Sequence, residues 1–482
     1  MGSEYHSLHI FFFPFLAHGH TIPTVDMAKL FASKGVKATI ITTPLNQPFI
    51  SKSIEKSIIS GHNIHIQTIE FPCIKAGLPN GCESVESLPS PDLFSMFLKA
   101  TKLLLQEPLE KLLLEQHPDC VVADMFYPWT TDSAAKFGIP RLVFHGISFF
   151  SLCATECMRL YEPFKNVSSD SEPFVIPNLP GEIQMTSLQL PPYDNSSKGC
   201  EGMIKFMQEV KESELKSFGV VVNSFYELEN VYADYYRKVL GRKAWHIGPL
   251  SLCNKDIEEK ANRGKEASID QHVCLKWLDM KKPNSVVYIC FGSLLNCSSS
   301  QLQEIAIGLE ASGKNFIWVV TKSSEDGEEW LPEGFEKRME DKGLIIRGWA
   351  PQMLILEHEA IGAFVTHCGW NSILEGVTAG VPFVTWPVSA EQFYNEKLVN
   401  EVLKIGVPIG NKRWSRSVVL GDSIQWSVVE KVVKRVMKGE EALEMRNRVK
   451  VFSKLAKKAV EKEGSSFSDL KALIEELSLL RH

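Results

Sequence analysis

The stretch from Trp349 to Gln392, WAPQMLILEHEAIGAFVTHCGWNSILEGVTAGVPFVTWPVSAEQ, gathers the side chains in this chain best suited to hold a ligand. The indole of Trp349 can lie flat against a planar heterocycle while the backbone at Ala350 pairs with its edge. Gln352, three residues on, can reach a sugar hydroxyl. His367-Cys368-Gly369-Trp370-Asn371-Ser372 reads as a turn into a helix over Ile373–Ala379. Glycine there lets the backbone come close, and free N–H groups at a helix start carry the positive end of its dipole. Both suit a diphosphate, with His367, Asn371 and Ser372 as further donors. Gly292-Ser293, after an earlier apolar run, can cradle the same phosphates. Glu375 can accept from two ribose hydroxyls, as acidic residues do in dinucleotide sites. Glu391-Gln392 offers a carboxylate and an amide to a polyhydroxylated group. Each has a plain alternative: Trp349 as a packing residue, Glu375 as an exposed helical glutamate, either glycine turn as an ordinary loop. Their joint order points to one pocket for a base, two phosphates and a sugar.

A molecule held there needs a reaction partner, and the first half of the chain supplies two titratable candidates. His20 lies in the loop Pro14–Thr21, between the apolar run Leu8–Phe13 and a helical pattern opened by Ile22-Pro23. Asp124 ends the apolar run Cys120–Ala123. A histidine at a first strand-to-helix turn is placed for proton transfer. An aspartate on a neighbouring strand end can orient it and stabilise its charged form. Taken singly, one can be an ordinary hydrogen-bonded histidine and the other a helix cap. The sequence sets both on one rim without showing contact.

Short apolar runs alternate with helical patterns through the whole chain. Strands are expected at Leu8–Phe13, Val36–Thr42, Ile64–Ile69, Cys120–Asp124, 139–145, Gly219–Asn223 and Ala244–Ile247. A helix is expected over Pro91–Leu114, and a proline-rich loop over Glu162–Ser197. The alternation resumes with strands Ser285–Phe291, Asn315–Val320, Leu344–Arg347, Ile361–Thr366 and Val381–Trp386. Between Leu250 and Gln271 apolar patterning gives way to charge, as expected of a linker. The expected organisation is therefore α/β, with two Rossmann-like domains facing each other across a cleft. These are residues 1–250 and 271–460, joined by 251–270, with a last helix in 461–482 packing back on the first domain. Ligands of such sheets sit beyond the carboxyl ends of the strands.

Composition narrows the classes. A chain of 482 residues is long for one core and suits two domains of about 200–250 residues. The net charge of −6, without a basic tract, argues against nucleic-acid binding. Eleven dispersed cysteines without CxxC pairs read as reduced thiols, neither a disulfide frame nor a zinc site. The first apolar run has no basic flank and is broken by Pro14, so it reads as a buried strand, not a signal peptide. No run approaches the ~18 apolar residues of a membrane span. A dinucleotide-dependent oxidoreductase would share the α/β units, but no GxGxxG follows any strand. A non-catalytic nucleotide-sugar binder would keep the second-half residues without needing His20 and Asp124.

The Trp349–Gln392 stretch, with WAPQ, HCGWNS, LEG, GVP, WP and a terminal acid-Gln pair in register, resembles the signature box of plant secondary-product UDP-glycosyltransferases. The resemblance extends to FPFLAHGHTIP, GLPNGC, VVADMFYPW, VVNSFYELE and VVYICFGS, and is greatest to enzymes acting on flavonoids and triterpenoids. It implies the two-domain GT-B fold and transfer of glucose from UDP-glucose to a hydroxyl of a small hydrophobic acceptor. By this resemblance His20 is the general base and Asp124 its partner, and Phe15 and His20 face the acceptor. Trp349 and Ala350 hold uracil, and Gln352 and Glu375 hold ribose. Ser293, His367, Asn371 and Ser372 hold the diphosphate, while Trp370, Glu391 and Gln392 meet the sugar. Gln392 in place of His disfavours galactose and Trp370 in place of Arg disfavours glucuronate. Two departures bear on the sugar: Glu391 where most relatives carry Asp, and Ile147 where they often carry a small polar residue. The resemblance further implies a monomeric cytoplasmic enzyme without metal or other cofactor.

Overall fold

Runs such as HIFFF and CVVAD have no polar alternate face, so both sides of the strand need cover, which a parallel sheet between helix layers provides. The computed structural model describes residues 8–193, 199–293, 295, 297–320, 330–415 and 424–481. In the first half, β1 (His9–Phe13), β2 (Lys37–Thr42), β3 (Ile64–Thr68), β4 (Cys120–Asp124) and β5 (Arg141–Phe144) form consecutive α/β units. The proline-rich stretch read as loop also holds a short antiparallel pair, β6 (Phe174–Val175) with β7 (Gln184–Met185). With β8 (Gly219–Val222) and β9 (Ala244–His246) the first sheet has seven parallel strands in the order β3-β2-β1-β4-β5-β8-β9.

The second half repeats the plan with β10 (Val286–Cys290), β11 (Asn315–Val320), β12 (Gly343–Arg347), β13 (Ile361–Thr366), β14 (Phe383–Thr385) and β15 (Gly406–Pro408). These six pair in the order β12-β11-β10-β13-β14-β15. Each sheet reverses its strand order once, between β1 and β4 and between β10 and β13. Such switch points open a crevice at the carboxyl ends of the strands. Pairing of Phe13 with Ala123, and of Cys290 with Thr366, brings those carboxyl ends level. His20, Asp124, Gly292-Ser293 and His367–Ser372 lie at or just beyond these four strand ends, while Trp349–Gln352 follow β12 and Glu391-Gln392 follow β14.

Helix starts differ from the sequence expectation where polar residues occupy the first turn. The helix after β1 runs His18–Ala32, so His20 lies in its first turn and Pro23 lies inside it. Pro23 has no N–H to give the carbonyl four residues back. That carbonyl, Gly19 O, accepts instead from Asn371 Nδ2 of the second half at 2.7 Å. The helix after β13 likewise begins at Trp370, not Ile373, with Gly369 as its cap, so Trp370, Asn371 and Ser372 form its first turn. A one-turn helix, Phe335–Arg338, leads into β12.

The charged segment 251–270 is folded against both halves. It contains the short helix Ile257–Ala261, and Lys29 donates to Asn254 at 2.6 Å while Ser53 donates to the Asn262 carbonyl at 3.0 Å. On the other side Lys260 pairs with Glu357 at 2.6 Å. At the end of the chain, helix Glu440–Val460 packs on the second half, where Ser453 donates to the Thr378 carbonyl. Helix Ser465–Leu479 then returns to the first, with Leu470, Leu473 and Leu477 buried beside Ile10, Phe31 and Trp245. No helix among the described residues is long and apolar enough to cross a membrane.

Candidate active site

His20 and Asp124 meet. Nδ1 of His20 lies 2.7 Å from Asp124 Oδ2, and Asp124 Oδ1 accepts from the Phe126 N–H at 3.0 Å. Asp124 is fully buried, whereas His20 keeps about a quarter of its side chain exposed. With Nδ1 facing the carboxylate, that nitrogen carries the proton and Nε2 is left to accept one. Burial pulls the His20 pKa down. The Asp124 charge and hydrogen bond, helped by Glu391 and Glu86, push it up by more, so it stands above the ordinary histidine value.

Aromatic rings surround His20. Phe15 touches it edge-on at 5.6 Å but is itself buried beneath Phe126, whose ring is 4.6 Å away. The half-buried ring beside His20 is that of Phe126, at 5.5 Å, with Phe94 and Phe206 packed on it at 6.2 and 6.1 Å. These three escaped the sequence reading, because phenylalanines in loops and helices give no local sign of which face a cleft. Gly146, at φ +72, lies opposite; a Cβ there would approach His20 Nδ1 to 3.6 Å.

Across the cleft, the second switch point gathers another set of the residues singled out in the sequence. Gly292 is required by its φ of +78 and by its neighbour: a Cβ would fall 2.7 Å from the His367 ring. His367 is wedged between Gly292 and Gly369, and its Nδ1 has no partner among the described residues. Burial pushes its pKa down to about 4, so it is a neutral donor or acceptor here. Positive potential for an anion therefore comes from the start of the Trp370–Ala379 helix, not from an imidazolium. Ser293 Oγ sits 3.5 Å from Glu86 Oε1, a first-half carboxylate that also lies 2.8 Å from His18 Nδ1.

Gln352 donates to Ser372 Oγ at 3.2 Å and to Glu375 Oε2 at 2.8 Å, and its carbonyl accepts from Tyr288 at 3.3 Å. Trp349 is half-buried, with the His18 ring 5.8 Å away between centroids and tilted 50° to it. Glu391 accepts from Asn395 at 3.1 Å, and burial, the largest effect on it, raises its pKa. Gln392 spends its carbonyl on the Val388 and Ser389 N–H groups, leaving its NH₂. Trp370 opens the helix that starts at this end of the cleft. Its ring is buried, and Nε1 donates to the Asn223 carbonyl at 2.7 Å, so the side chain ties the two halves together. Among the described residues no cluster of three His, Cys, Asp or Glu side chains could hold a metal.

The comparisons with known proteins agree in extent with this architecture. Residues 252–408 match the family model "UDP-glucoronosyl and UDP-glucosyl transferase". Over 98% of both chains, the protein is 59% identical to a scopoletin glucosyltransferase of Nicotiana tabacum. It is 57% identical to a UDP-glucose flavonoid 3-O-glucosyltransferase of Fragaria ananassa, over 98% of this chain and 96% of that one. A glycosyltransferase of Glycyrrhiza uralensis, solved with glycyrrhetinic acid 3-O-monoglucuronide, superposes with a TM-score of 0.90 at 43% identity, covering 98% of this chain and 96% of that one. A Medicago truncatula enzyme solved with UDP-glucose gives a TM-score of 0.80 at 27% identity, covering 99% and 100%. With two facing α/β domains and full-length similarity on this scale, the chain belongs to the plant family 1 UDP-glycosyltransferases and is an enzyme of GT-B fold.

Proposed function

We propose that this enzyme moves glucose from UDP-glucose to a hydroxyl of a small hydrophobic plant metabolite, with inversion at the anomeric carbon. The observation that carries the reading is the His20–Asp124 pair, 2.7 Å apart on one rim, facing the Trp349–Gln392 residues on the other. The acceptor hydroxyl gives its proton to His20 Nε2 as its oxygen bonds to the anomeric carbon. The bond from that carbon to the phosphate oxygen breaks on the opposite face and UDP leaves. Asp124 stabilises the imidazolium that forms. The leaving diphosphate is met by Ser293, Ser372 and the helix start at Trp370, an arrangement that does not call for a metal. Trp349 and Ala350 take uracil, Gln352 and Glu375 the ribose, and Glu391 and Gln392 the glucose.

The acceptor side favours a flat aromatic molecule, since Phe126 presents a half-buried ring beside the base. Relatives that act on scopoletin and on flavonoids support that class. A triterpenoid is the second reading, supported by the bound ligand of the Glycyrrhiza uralensis enzyme. We place the enzyme in the cytoplasm as a monomer. The deciding experiment sets UDP-glucose, UDP-galactose and UDP-glucuronate against coumarin, flavonol and triterpenoid acceptors, with product stereochemistry read by NMR. A β-glucoside formed from UDP-glucose, undiminished by EDTA, is expected. An α-linked product would overturn the mechanism, and preferred use of another donor would overturn the sugar assignment.

A further inference from the structure

The connector between the domains places one cation, Arg263, where neither the reaction scheme nor the sequence pattern asks for it. Its Nε donates to Asp26 Oδ2 at 2.7 Å and its Nη1 to Glu375 Oε1 at 2.5 Å. All three side chains are at least nine-tenths buried. Asp26 belongs to the first-domain helix that starts with His18 and carries His20, and Glu375 to the second-domain helix that starts at Trp370. One guanidinium therefore joins the helix bearing the base to the helix bearing the diphosphate site. Asp26 is held in turn, its other oxygen accepting from Asn254 at 2.8 Å. The next residue reaches the nucleotide side as well. Gly264, at φ +94, lies so close to Trp349 that a Cβ would fall 2.5 Å from its indole. Ser268 then pairs with the Trp349 backbone in both directions, at 2.8 and 2.9 Å.

Resting on the reading of Glu375 as the ribose acceptor, we propose that Arg263 is a donor-positioning residue. It clamps the Glu375 carboxylate in the orientation that receives the ribose hydroxyls and couples that orientation to the docking of the His20 helix. A carboxylate offers about four lone-pair sites. Arg263 takes one on Oε1 and Gln352 one on Oε2, which leaves one on each oxygen for the vicinal 2′ and 3′ hydroxyls. Arg263 also offsets part of the buried negative charge that would otherwise stand beside the incoming diphosphate.

Isothermal titration of the full chain with UDP and with 2′,3′-dideoxy-UDP separates positioning from mere structural support. The native enzyme is expected to prefer UDP by about tenfold or more, the usual weight of hydrogen bonds to a charged group. R263Q should lose about tenfold or more in UDP affinity while dideoxy-UDP binding changes little, and R263K should recover part of the loss. In turnover the effect should fall on the KM for UDP-glucose more than on the KM for the acceptor. D26N removes the far anchor from outside the nucleotide pocket and should move UDP affinity in the same direction by less. It carries the test should R263Q fail to fold. The R263Q/D26N pair should be non-additive. Unchanged UDP affinity in folded R263Q or D26N, or equal losses for both nucleotides, would overturn the clamp. A native enzyme that fails to tell UDP from dideoxy-UDP would instead overturn the ribose assignment, and the clamp with it.

Discussion

At the scale of single residues, the site is governed by how protein contacts displace two histidines in opposite directions. Asp124 holds His20 above the ordinary histidine value against the pull of burial, whereas His367, with no charged partner among the described residues, is left at about 4. A base must be unprotonated to act, so kcat/KM should fall as pH drops through a value above 6.5, and stay flat where His20 is neutral. Asp124→Asn removes the raising charge, so the acid limb should move to lower pH while the maximal rate also falls. His20→Ala should cost about 10²–10⁴-fold in kcat. A pH–rate profile on the three proteins checks both, and an unmoved limb in Asp124→Asn would refute the pairing. Gly292→Ala meets two obstacles, a φ of +78 and a His367 ring 2.7 Å from the new Cβ. The backbone term alone costs about 1–2 kcal/mol, and displacement of His367 should raise the KM for UDP-glucose in initial-rate assays.

At the scale of elements, one buried carboxylate places the loop opposite His20. Glu229 accepts from the Phe149 and Phe150 N–H groups at 3.0 and 2.8 Å, capping the helix Phe149–Tyr161 from a distance. Burial raises its pKa to about 7, partly offset by a hydrogen bond from Ser224 and by the two from the Phe150 and Phe149 N–H groups. Glu229→Ala strands two N–H groups that the first turn of the helix cannot satisfy. Each stranded group costs about 1–3 kcal/mol, and every kcal/mol is worth about 2–4 °C in Tm for a domain of this size. Because Gly146 and Ile147 directly precede that helix, the KM for the acceptor should rise more than that for UDP-glucose. Glu229→Gln, which retains one acceptor, should do less of both; a melt and two KM titrations decide.

Legibility at this scale followed the physics of each pattern. Strands buried on both faces, such as HIFFF and CVVAD, were readable because a continuous apolar run has no other comfortable place. Helix starts at His18 and Trp370 were not, because HGHT and WNS carry no apolar period and their first turns are polar for the sake of the cleft. The motif residues were readable as a set, yet their contacts were not: Trp370 turns its indole N–H to Asn223, and His367 is neutral. Arg263 was invisible, since a buried cation inside a charged run looks like its solvated neighbours until the fold brings Asp26 and Glu375 to it.

At the scale of the whole molecule, two sheets present their switch points to each other and the chain crosses between them more than once. Cross-cleft ties run from Trp370 to Asn223, from Asn371 to Gly19, and through Arg263. The last helix adds a different kind of tie, apolar and remote from the cleft. Leu470, Leu473 and Leu477 are 2%, 0% and 1% exposed on the first domain, while Leu479 of the same helix is 72% exposed. Deleting a buried leucine side chain costs its transfer energy plus the cavity it leaves, about 2–5 kcal/mol, against a total stability of about 5–15 kcal/mol. Leu473→Ala should therefore lower the denaturation midpoint strongly. Leu479→Ala should stay within about 0.5 kcal/mol of the native protein, as surface changes do. The base lies at the carboxyl ends of the strands and not on this packed face, so folded Leu473→Ala enzyme should keep its kcat at low temperature. Urea denaturation paired with rate measurements tests the separation: equal midpoints for the two variants would mean that this helix does not hold the first domain, and a lost kcat in folded Leu473→Ala would mean that it also shapes the site.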